Sequence, residues 1–173
     1  MSRTGFIYNM NTCLGCGNCQ VACKQSHGLR DGEFFRRVIM LKSGPFSGGC
    51  NHCRDAACVK ACPVGAMYRA EDGTTRHDDG KCIGCGSCMW SCPYGAVSFS
   101  LTKGVTQKCD SCADRRSSGL APACVAACPT ESLSFGELDS VMATVSFLPD
   151  PDITDPSLCI KLSKRYGEVK GNE

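Results

Sequence analysis

The sequence has few of the large hydrocarbon side chains that fill an ordinary protein core. Hydrophobic residues make up 42% of the 173 residues, but this fraction includes 17 cysteines. Without them, roughly a third of the chain is true hydrocarbon, which is low for a soluble domain. One Trp, four Tyr and seven Phe are the only aromatic residues. Something other than side chains must therefore fill part of the interior.

Export and membrane signals are also missing. No stretch approaches the roughly 18 apolar residues that span a bilayer. The opening residues, MSRTGFIYNMNTC, contain neither the apolar run of a secretory signal nor a twin-arginine leader. We therefore expect a cytoplasmic chain with no direct membrane span, which becomes membrane-associated or exported only through a partner subunit. The net charge of +2 does not by itself favour nucleic acid or a membrane surface as a partner, and we expect no nucleic-acid partner.

Catalytic motifs are absent as well. The sequence shows no Ser–His–Asp set, no paired-carboxylate motif and no open metal site. The G-x-G pieces around Cys16 and Cys85 lack the third glycine of a nucleotide loop. His52 has no second histidine pair for a Rieske-type site, so we expect a loop residue bonded to backbone or solvent. His27 and His77 have no metal-like context. The sequence thus predicts no catalytic residue and no enzymatic activity of its own.

What the chain does contain is four groups of four cysteines. Groups one and three, CLGCGNCQVAC and CIGCGSCMWSC, align with every cysteine and both glycines in register. Strand-like residues follow the last three groups, which predicts a strand, cysteine loop, short helix and strand repeated four times. The groups are Cys13, Cys16, Cys19 and Cys23; Cys50, Cys53, Cys58 and Cys62; Cys82, Cys85, Cys88 and Cys92; and Cys109, Cys112, Cys124 and Cys128.

The spacing favours iron and sulfur over zinc or disulfides. Structural zinc usually takes its ligands as two separated pairs, whereas groups one and three read C-x2-C-x2-C-x3-C, the bacterial ferredoxin spacing. In two-cluster ferredoxins the fourth cysteine binds the other cluster. Four [4Fe–4S] clusters are therefore predicted, with zinc or mixed occupancy as the alternatives. Gly15, Gly17, Gly84 and Gly86 would let backbone N–H groups approach the sulfurs.

Other residues carry weaker signals. The basic pairs Arg36–Arg37 and Arg115–Arg116 would form either a solvated face or a docking contact beside an electron exit. Trp90 lies between two predicted ligands, so we expect it to pack as a shield over a cluster. Cys159 is left without a quartet and is predicted to be a small buried hydrophobe.

These stretches resemble a known family, the iron–sulfur electron-transfer subunits of dimethyl-sulfoxide-reductase-type molybdenum or tungsten enzymes. The resemblance covers nearly the whole chain. It is carried by CLGCGNCQVACK, FFRRV, CNHCRDAACVKACPVGAM with EDG after it, CIGCGSCMWSCPYGA, KCDSCADRRSSGLAPACVAACP, SFGEL and the tail LPDPDITDPSLCIK. Some relatives replace one cysteine of the third group, but here all four are present, which favours four [4Fe–4S] centres.

The resemblance implies an α+β fold of two ferredoxin-like 2[4Fe–4S] lobes in a pseudo-symmetric, nested arrangement, with short strands and helices around the clusters. Residues 1–48 and 104–136 would form the two halves of the outer lobe, and residues 49–103 the inner lobe. Residues 137–173 would form a C-terminal tail that docks a partner.

It also implies how the cysteines are shared between clusters. Three cysteines of each group would bind one cluster, and the fourth would reach the cluster of the paired group. The implied quartets are Cys13, Cys16, Cys19 and Cys128; Cys23, Cys109, Cys112 and Cys124; Cys50, Cys53, Cys58 and Cys92; and Cys62, Cys82, Cys85 and Cys88.

The implied function is to relay single electrons between a large molybdopterin- or tungstopterin-containing catalytic subunit and a second partner, such as a membrane anchor or a flavoprotein subunit. Three alternatives stay open. The chain could be the small electron-transfer subunit of a tungsten aldehyde oxidoreductase or flavoprotein complex. It could be a free-standing polyferredoxin, or a zinc-binding interaction module.

Overall fold

Short strands alternate with short helices along the chain, as the cysteine repeat predicts. The computed structural model describes residues 3–139 and 154–162. The strands are β1 (Thr4–Asn9), β2 (Arg36–Leu41), β3 (Gly44–Gly49), β4 (Met67–Arg69), β5 (Thr75–His77), β6 (Val97–Ser100), β7 (Val105–Lys108), β8 (Leu133–Glu137) and β9 (Leu158–Lys161). The helices are α1 (Asn18–Ser26), α2 (Ala57–Lys60), α3 (Ser87–Ser91), α4 (Ala113–Ser117) and α5 (Ala123–Ala126). The predicted α+β class is confirmed.

One three-stranded sheet joins the two ends of the described chain. β1 lies at its centre, antiparallel to β8 and parallel to β9. The other strands form three antiparallel hairpins, β2–β3, β4–β5 and β6–β7. β1 precedes the first cysteine group and β8 follows the fourth, so this sheet brings groups one and four together.

Helix packing follows the same pairing. α1, in group one, packs against α5, in group four, while α2 and α3 bring groups two and three together. Two hydrophobic clusters result, and cysteines are prominent in both. The larger contains Phe6, Tyr8, Leu133, Ile160, Cys23, Cys50, Cys109 and Cys124 among others, and the smaller contains Ala56, Met67, Val97, Cys58 and Cys88.

The predicted repeat departs from regularity at group one. Strands β4, β6 and β8 follow groups two, three and four directly, as predicted. Group one instead continues through the nine-residue helix α1, and the β2–β3 hairpin separates it from group two. The longest segment between two cysteine groups is therefore the one between groups one and two.

The described part of the predicted tail packs on the rest of the molecule. β9 pairs with β1, and Cys159 within it is fully buried, which confirms the prediction of a small buried residue. Residues 140–153 and 163–173 of the tail lie outside the described residues. Of the helices that the structure does describe, none is long and apolar enough to cross a membrane.

Two sequence predictions are wrong. Trp90 is 89% exposed, so it does not shield a cluster. It lies two residues after Cys88 on α3, and a helix turns about 100° per residue, so the indole points away from the buried Cys88 sulfur.

The solvated-face interpretation also fails for Arg36, which is only 5% exposed, whereas its neighbour Arg37 is exposed. Arg116 is half-buried, with its guanidinium 2.6 Å from the Asp72 carboxylate.

Candidate metal centre

All four cysteine groups begin with the same turn. In each, the residue just before the second cysteine has a left-handed φ, between +45° and +71°. This conformation turns its backbone N–H back towards the sulfur of the first cysteine. The four N···Sγ pairs are Gly15 and Cys13 (3.4 Å), His52 and Cys50 (3.4 Å), Gly84 and Cys82 (3.4 Å), and Ser111 and Cys109 (3.3 Å).

Two of these turns have glycine, which favours the left-handed conformation and leaves space where a side chain would be crowded. A Cβ atom on Gly15 would lie 3.2 Å from the Met40 sulfur, and one on Gly84 would collide with the carbonyl oxygen of Gly104. The expectation that these two glycines bring N–H groups to the sulfurs is confirmed. His52 and Ser111 do the same in groups two and four. Sequence reasoning missed them because neither residue type signals a left-handed turn as strongly as glycine does.

The third cysteine of every group occupies the same helical position. It is the second residue of α1, α2, α3 or α5, and the fourth cysteine comes four residues later. In group one both cysteines lie on α1, about one helical turn apart, whereas in the other three groups the fourth cysteine lies beyond the end of the short helix. The first two cysteines, from the loop, lie close to the third while the fourth is carried away from them. The third cysteines are Cys19, Cys58, Cys88 and Cys124.

Three small cavities are each lined by four cysteines. Every one combines three cysteines of one group with the fourth cysteine of another. The quartets are Cys13, Cys16, Cys19 and Cys128; Cys50, Cys53, Cys58 and Cys92; and Cys62, Cys82, Cys85 and Cys88.

The four cysteines that remain are also neighbours of one another. Burial raises the pKa of the Cys23 thiol to about 12, and the proximity of Cys124 and Cys112 adds to the increase. Burial likewise raises the pKa of Cys109 well above its usual value, with further contributions from Cys50, Cys23 and Cys124. Cys109 packs in one buried cluster with Cys23, Cys124 and Cys50, and Cys50 also lines one of the three cavities.

In the described residues the cysteine sulfurs lie farther apart than the four ligands of one zinc ion. A tetrahedral zinc ion with Zn–S bonds of about 2.3 Å holds its sulfurs roughly 3.8 Å apart. Within residues 3–139 and 154–162, no three cysteine sulfurs lie within 4.8 Å of one another. This wider spacing favours a cubane, which separates its four ligands by the width of the iron–sulfur core, over a single ion.

The thiols also need a cationic partner to ionise together. Burial and the neighbouring sulfurs raise the pKa of Cys53 to about 11, and burial raises that of Cys58 to about 11. Four thiolates crowded in such a site are stable only when positive charge compensates them, which iron supplies when bound. The more exposed Cys82 differs. Burial raises the pKa of Cys82, but hydrogen bonds from Thr106 and the Gly84 N–H outweigh this effect and lower the pKa to about 7.

Two buried cations lie among the quartets. The Arg36 guanidinium donates to the Ser47 carbonyl at 3.0 Å and lies 4.6 Å over the Phe6 ring. Burial opposes its charge, but the sulfurs of Cys124, Cys109, Cys19 and Cys23 raise its pKa. Lys108 is the second cation and is only 5% exposed. Sequence reasoning missed Lys108, and its place directly before Cys109 at the end of a strand was the available signal.

The histidines contact the site more closely than expected. The prediction of no metal-like context is wrong for His27, whose Nε2 lies 3.4 Å from Cys112 Sγ. His77 Nε2 lies 3.3 Å from Thr106 Oγ1, which in turn lies 3.4 Å from Cys88 Sγ.

His52 bonds to backbone, as predicted, but not to solvent. It is fully buried, and the Thr75 N–H donates to its Nδ1 at 3.3 Å. Burial, reinforced by the charge of Lys108, lowers the pKa of His52 well below its usual value. The ring is therefore neutral, with its proton on Nε2, which has no hydrogen-bond partner among the described residues.

Comparisons with known proteins match the chain to iron–sulfur proteins. A 4Fe-4S dicluster domain matches residues 43–138, and a 4Fe-4S binding domain matches residues 10–26. The B subunit of the anaerobic dimethyl sulfoxide reductase of Escherichia coli strain K12 is 38% identical over 182 residues, which cover 92% of this chain and 89% of that relative.

Two further relatives belong to reductases of other substrates. The arsenate respiratory reductase iron–sulfur subunit of Shewanella sp. strain ANA-3 is 32% identical over 202 residues, covering 84% of this chain and 86% of the relative. The thiosulfate reductase electron transfer subunit of Salmonella typhi is 38% identical over 146 residues, covering 77% and 75%. The protein belongs to the 4Fe-4S dicluster family and, within it, to the iron–sulfur electron-transfer subunits of dimethyl-sulfoxide-reductase-type oxidoreductases.

Proposed function

We propose that this chain relays single electrons along four [4Fe–4S] clusters between a large molybdopterin- or tungstopterin-containing catalytic subunit and a second redox partner. Each cluster, when bound, supplies a one-electron carrier. The observation that carries the proposal is the set of three cavities lined by cysteine quartets, each assembled from two sequence groups. The similarity to subunits of dimethyl sulfoxide, arsenate and thiosulfate reductases supports a catalytic partner.

The proposed ligand sets are the nested ones. The three cavities support three quartets, and the mutual proximity of Cys23, Cys109, Cys112 and Cys124 supports the fourth. The outer lobe then comprises residues 1–48 and 104–136, which the β1–β8 pairing and the α1–α5 contact support. Residues 49–103 form the inner lobe, supported by the α2–α3 contact.

The quartets follow one another in a defined order in this proposal. The outer two share α1, which contributes Cys19 to one and Cys23 to the other. Cys109, in the outer lobe, lies close to Cys50, in the inner lobe. The inner two quartets are linked by α2 and α3. The order therefore runs from the quartet containing Cys16 to the quartet containing Cys85.

The two exposed cysteines of the described chain lie at the ends of this order. Cys16 and Cys85 are exposed, whereas the cysteines of the two middle quartets are buried or half-buried. Beside them, Leu14 is 72% and Ile83 is 64% exposed. Electrons enter and leave at the clusters that lie nearest the protein surface. The catalytic subunit therefore docks beside one of the two terminal quartets, and the second partner docks beside the other.

The second partner is a membrane anchor or a flavoprotein subunit, and the tail of residues 137–173 contributes to docking. The chain reaches a membrane, or crosses one, through such a partner and otherwise resides in the cytoplasm.

Anaerobic purification of the untagged protein from its source tests the proposal. The preparation should contain about 16 iron and 16 sulfide per chain and migrate on size exclusion with a large pterin-containing subunit. Substrate of that subunit should reoxidise the reduced clusters. A colourless, zinc-loaded protein would overturn the cluster assignment. A cluster-loaded chain that travels alone would instead identify a free-standing polyferredoxin.

A further inference from the structure

The side chain of Lys108 is buried at the boundary between the two lobes. Lys108 ends β7 and directly precedes Cys109 of the outer lobe. Its Nζ donates to the Thr75 carbonyl at 2.6 Å, to Thr75 Oγ1 at 2.9 Å and to the Cys109 carbonyl at 2.8 Å. All three acceptors are neutral oxygens. An ammonium taken out of water costs several kcal/mol unless an opposite charge compensates it.

With a cluster bound as proposed, the thiolates of the neighbouring sulfur cavity would supply the compensating charge. Lys108 lines the cavity of the quartet Cys50, Cys53, Cys58 and Cys92, together with Thr75. The Lys108 side chain therefore faces this cavity while its Nζ also donates to the backbone of Cys109 in the outer lobe.

Thr75 connects the ammonium to one ligand of this quartet. A lysine ammonium can only donate, so Thr75 Oγ1 must accept the bond from Nζ. The hydroxyl proton of Thr75 is then free to point at Cys50 Sγ, which lies 3.8 Å from Oγ1. Thr75 is 1% exposed, so water does not compete for this proton.

A second connection runs through the backbone. The Thr75 N–H donates to His52 Nδ1, and the His52 N–H donates to Cys50 Sγ. Cys50 thus receives a hydrogen bond from the backbone while facing a hydroxyl polarised by a cation. Both features stabilise additional negative charge on the sulfur.

We propose that Lys108 and Thr75 are positioning residues that raise the reduction potential of the cluster held by Cys50, Cys53, Cys58 and Cys92. This inference rests on the proposed function, because it takes that quartet as one cluster's ligands. The reduced state carries one more negative charge than the oxidised state. A buried cation and a hydrogen-bond donor to sulfur stabilise the reduced state more than the oxidised state. An electron is therefore held more strongly at this cluster, where the two lobes meet.

The test is an EPR-monitored redox titration of the holo-protein with its native partners. Lys108→Met removes the charge at similar length, and Lys108→Arg keeps it. At a fixed potential, Lys108→Met should lower the reduced-to-oxidised ratio of one cluster at least tenfold, which is 59 mV for a one-electron couple. Lys108→Arg should restore most of the ratio. The affected signal should be the one that disappears in Cys53→Ser.

Thr75→Val removes the hydroxyl at almost constant shape. It should lower the reduced-to-oxidised ratio of the same cluster by a smaller factor than Lys108→Met does. Thr75→Ser keeps a hydroxyl and should restore the ratio. Lys103→Met is the matched control, because Lys103 is exposed and pairs with Asp79 at the surface. It should leave the potential of the cluster held by Cys50, Cys53, Cys58 and Cys92 unchanged.

The outcomes separate this inference from the proposed function. Absence of clusters in the wild-type protein would overturn the proposed function itself. Four clusters whose potentials are the same in Lys108→Met and wild type, or a shift in a different cluster, would overturn only the role of Lys108. If Lys108→Met does not retain about 16 iron per chain, Thr75→Val becomes the deciding variant. An unchanged potential of this cluster in Thr75→Val would then overturn the proposal.

Discussion

The imidazole Nε2 of His27 lies 3.4 Å from the Sγ of Cys112, across 85 positions of sequence. The Asp110 carboxylate lies 3.8 Å from the same nitrogen. A cluster thiolate can only accept a hydrogen bond, so Nε2 must carry the proton when Cys112 is a ligand. His27 thereby adds a side-chain donor to a sulfur of the proposed Cys23, Cys109, Cys112 and Cys124 quartet.

Replacing His27 by Leu should lower the potential of that cluster. Loss of one donor to sulfur destabilises the reduced state, and we expect the reduced-to-oxidised ratio at fixed potential to fall about threefold to tenfold, in line with the net worth of a protein hydrogen bond. An EPR-monitored titration measures the ratio. His27→Gln retains an N–H donor and should stay closer to wild type. Identical potentials for wild type and His27→Leu would show that the contact does not tune the cluster.

Cys92→Ser distinguishes nested from self-contained ligand sets. Cys92 lines a cavity with Cys50, Cys53 and Cys58, although it follows Cys88 in sequence by four positions. We expect Cys92→Ser to damage the same cluster as Cys53→Ser and to leave intact the cluster that Cys85→Ser damages. EPR spectra and iron content report which cluster is lost.

Cys159→Ser is the matched control for this series, because Cys159 is buried outside all four quartets. It should retain all four signals. If Cys92→Ser instead removes the signal lost in Cys85→Ser, the third group binds its own cluster and the nested sets are wrong.

Arg36→Met should destabilise the protein strongly. The guanidinium is buried, donates to Ser47 and lies over Phe6 among four cysteine sulfurs. Removing one side of a buried charge pair typically costs about 3–5 kcal/mol. Anaerobic denaturant unfolding, followed by circular dichroism and by cluster absorbance, measures the loss.

Arg37→Met provides the comparison on the same strand. Arg37 is exposed and lies 5.0 Å over the Phe34 ring, and exposed cation–π contacts contribute about 0.5–1 kcal/mol. Equal losses in the two variants would contradict the inference that burial among the sulfurs makes Arg36 important.

His52 should make stability fall as the pH is lowered. Its pKa in the folded protein is well below the usual value because the ring is buried, whereas an exposed histidine titrates near 6.5. Below about pH 6.5 the unfolded chain therefore binds a proton that the folded chain does not. The free energy of unfolding then falls by up to ~1.4 kcal/mol for each further pH unit.

Anaerobic unfolding of wild type and His52→Gln between pH 5 and 8 isolates this contribution. The difference between the two proteins should be constant above about pH 7 and change in favour of the variant below it. A difference that is independent of pH over the whole range would show that His52 is not held neutral by burial.

The local chemistry of the cysteine loops follows from the sequence alone. In groups one and three, spacings of two and three residues bring sulfurs together within a single turn and the first helical turn after it, so the loop geometry there needs little help from the rest of the fold. In group four, eleven residues that include α4 separate Cys112 from Cys124, and the fold must bring these two together. The same local logic placed Gly15 and Gly84 where a left-handed turn is required, and placed strands β1 and β7 before groups one and four.

Tertiary structure decided everything that depends on distant segments. Thr75 and Lys108 are 33 positions apart, and His27 and Cys112 are 85 apart, and no local pattern encodes such contacts. Arg36 and Arg37 are adjacent and chemically identical, but strand alternation buries one and exposes the other. Trp90 likewise faces outward because Cys88 on the same short helix faces inward. Burial and charge compensation belong to packed surfaces, and those exist only once the chain has folded.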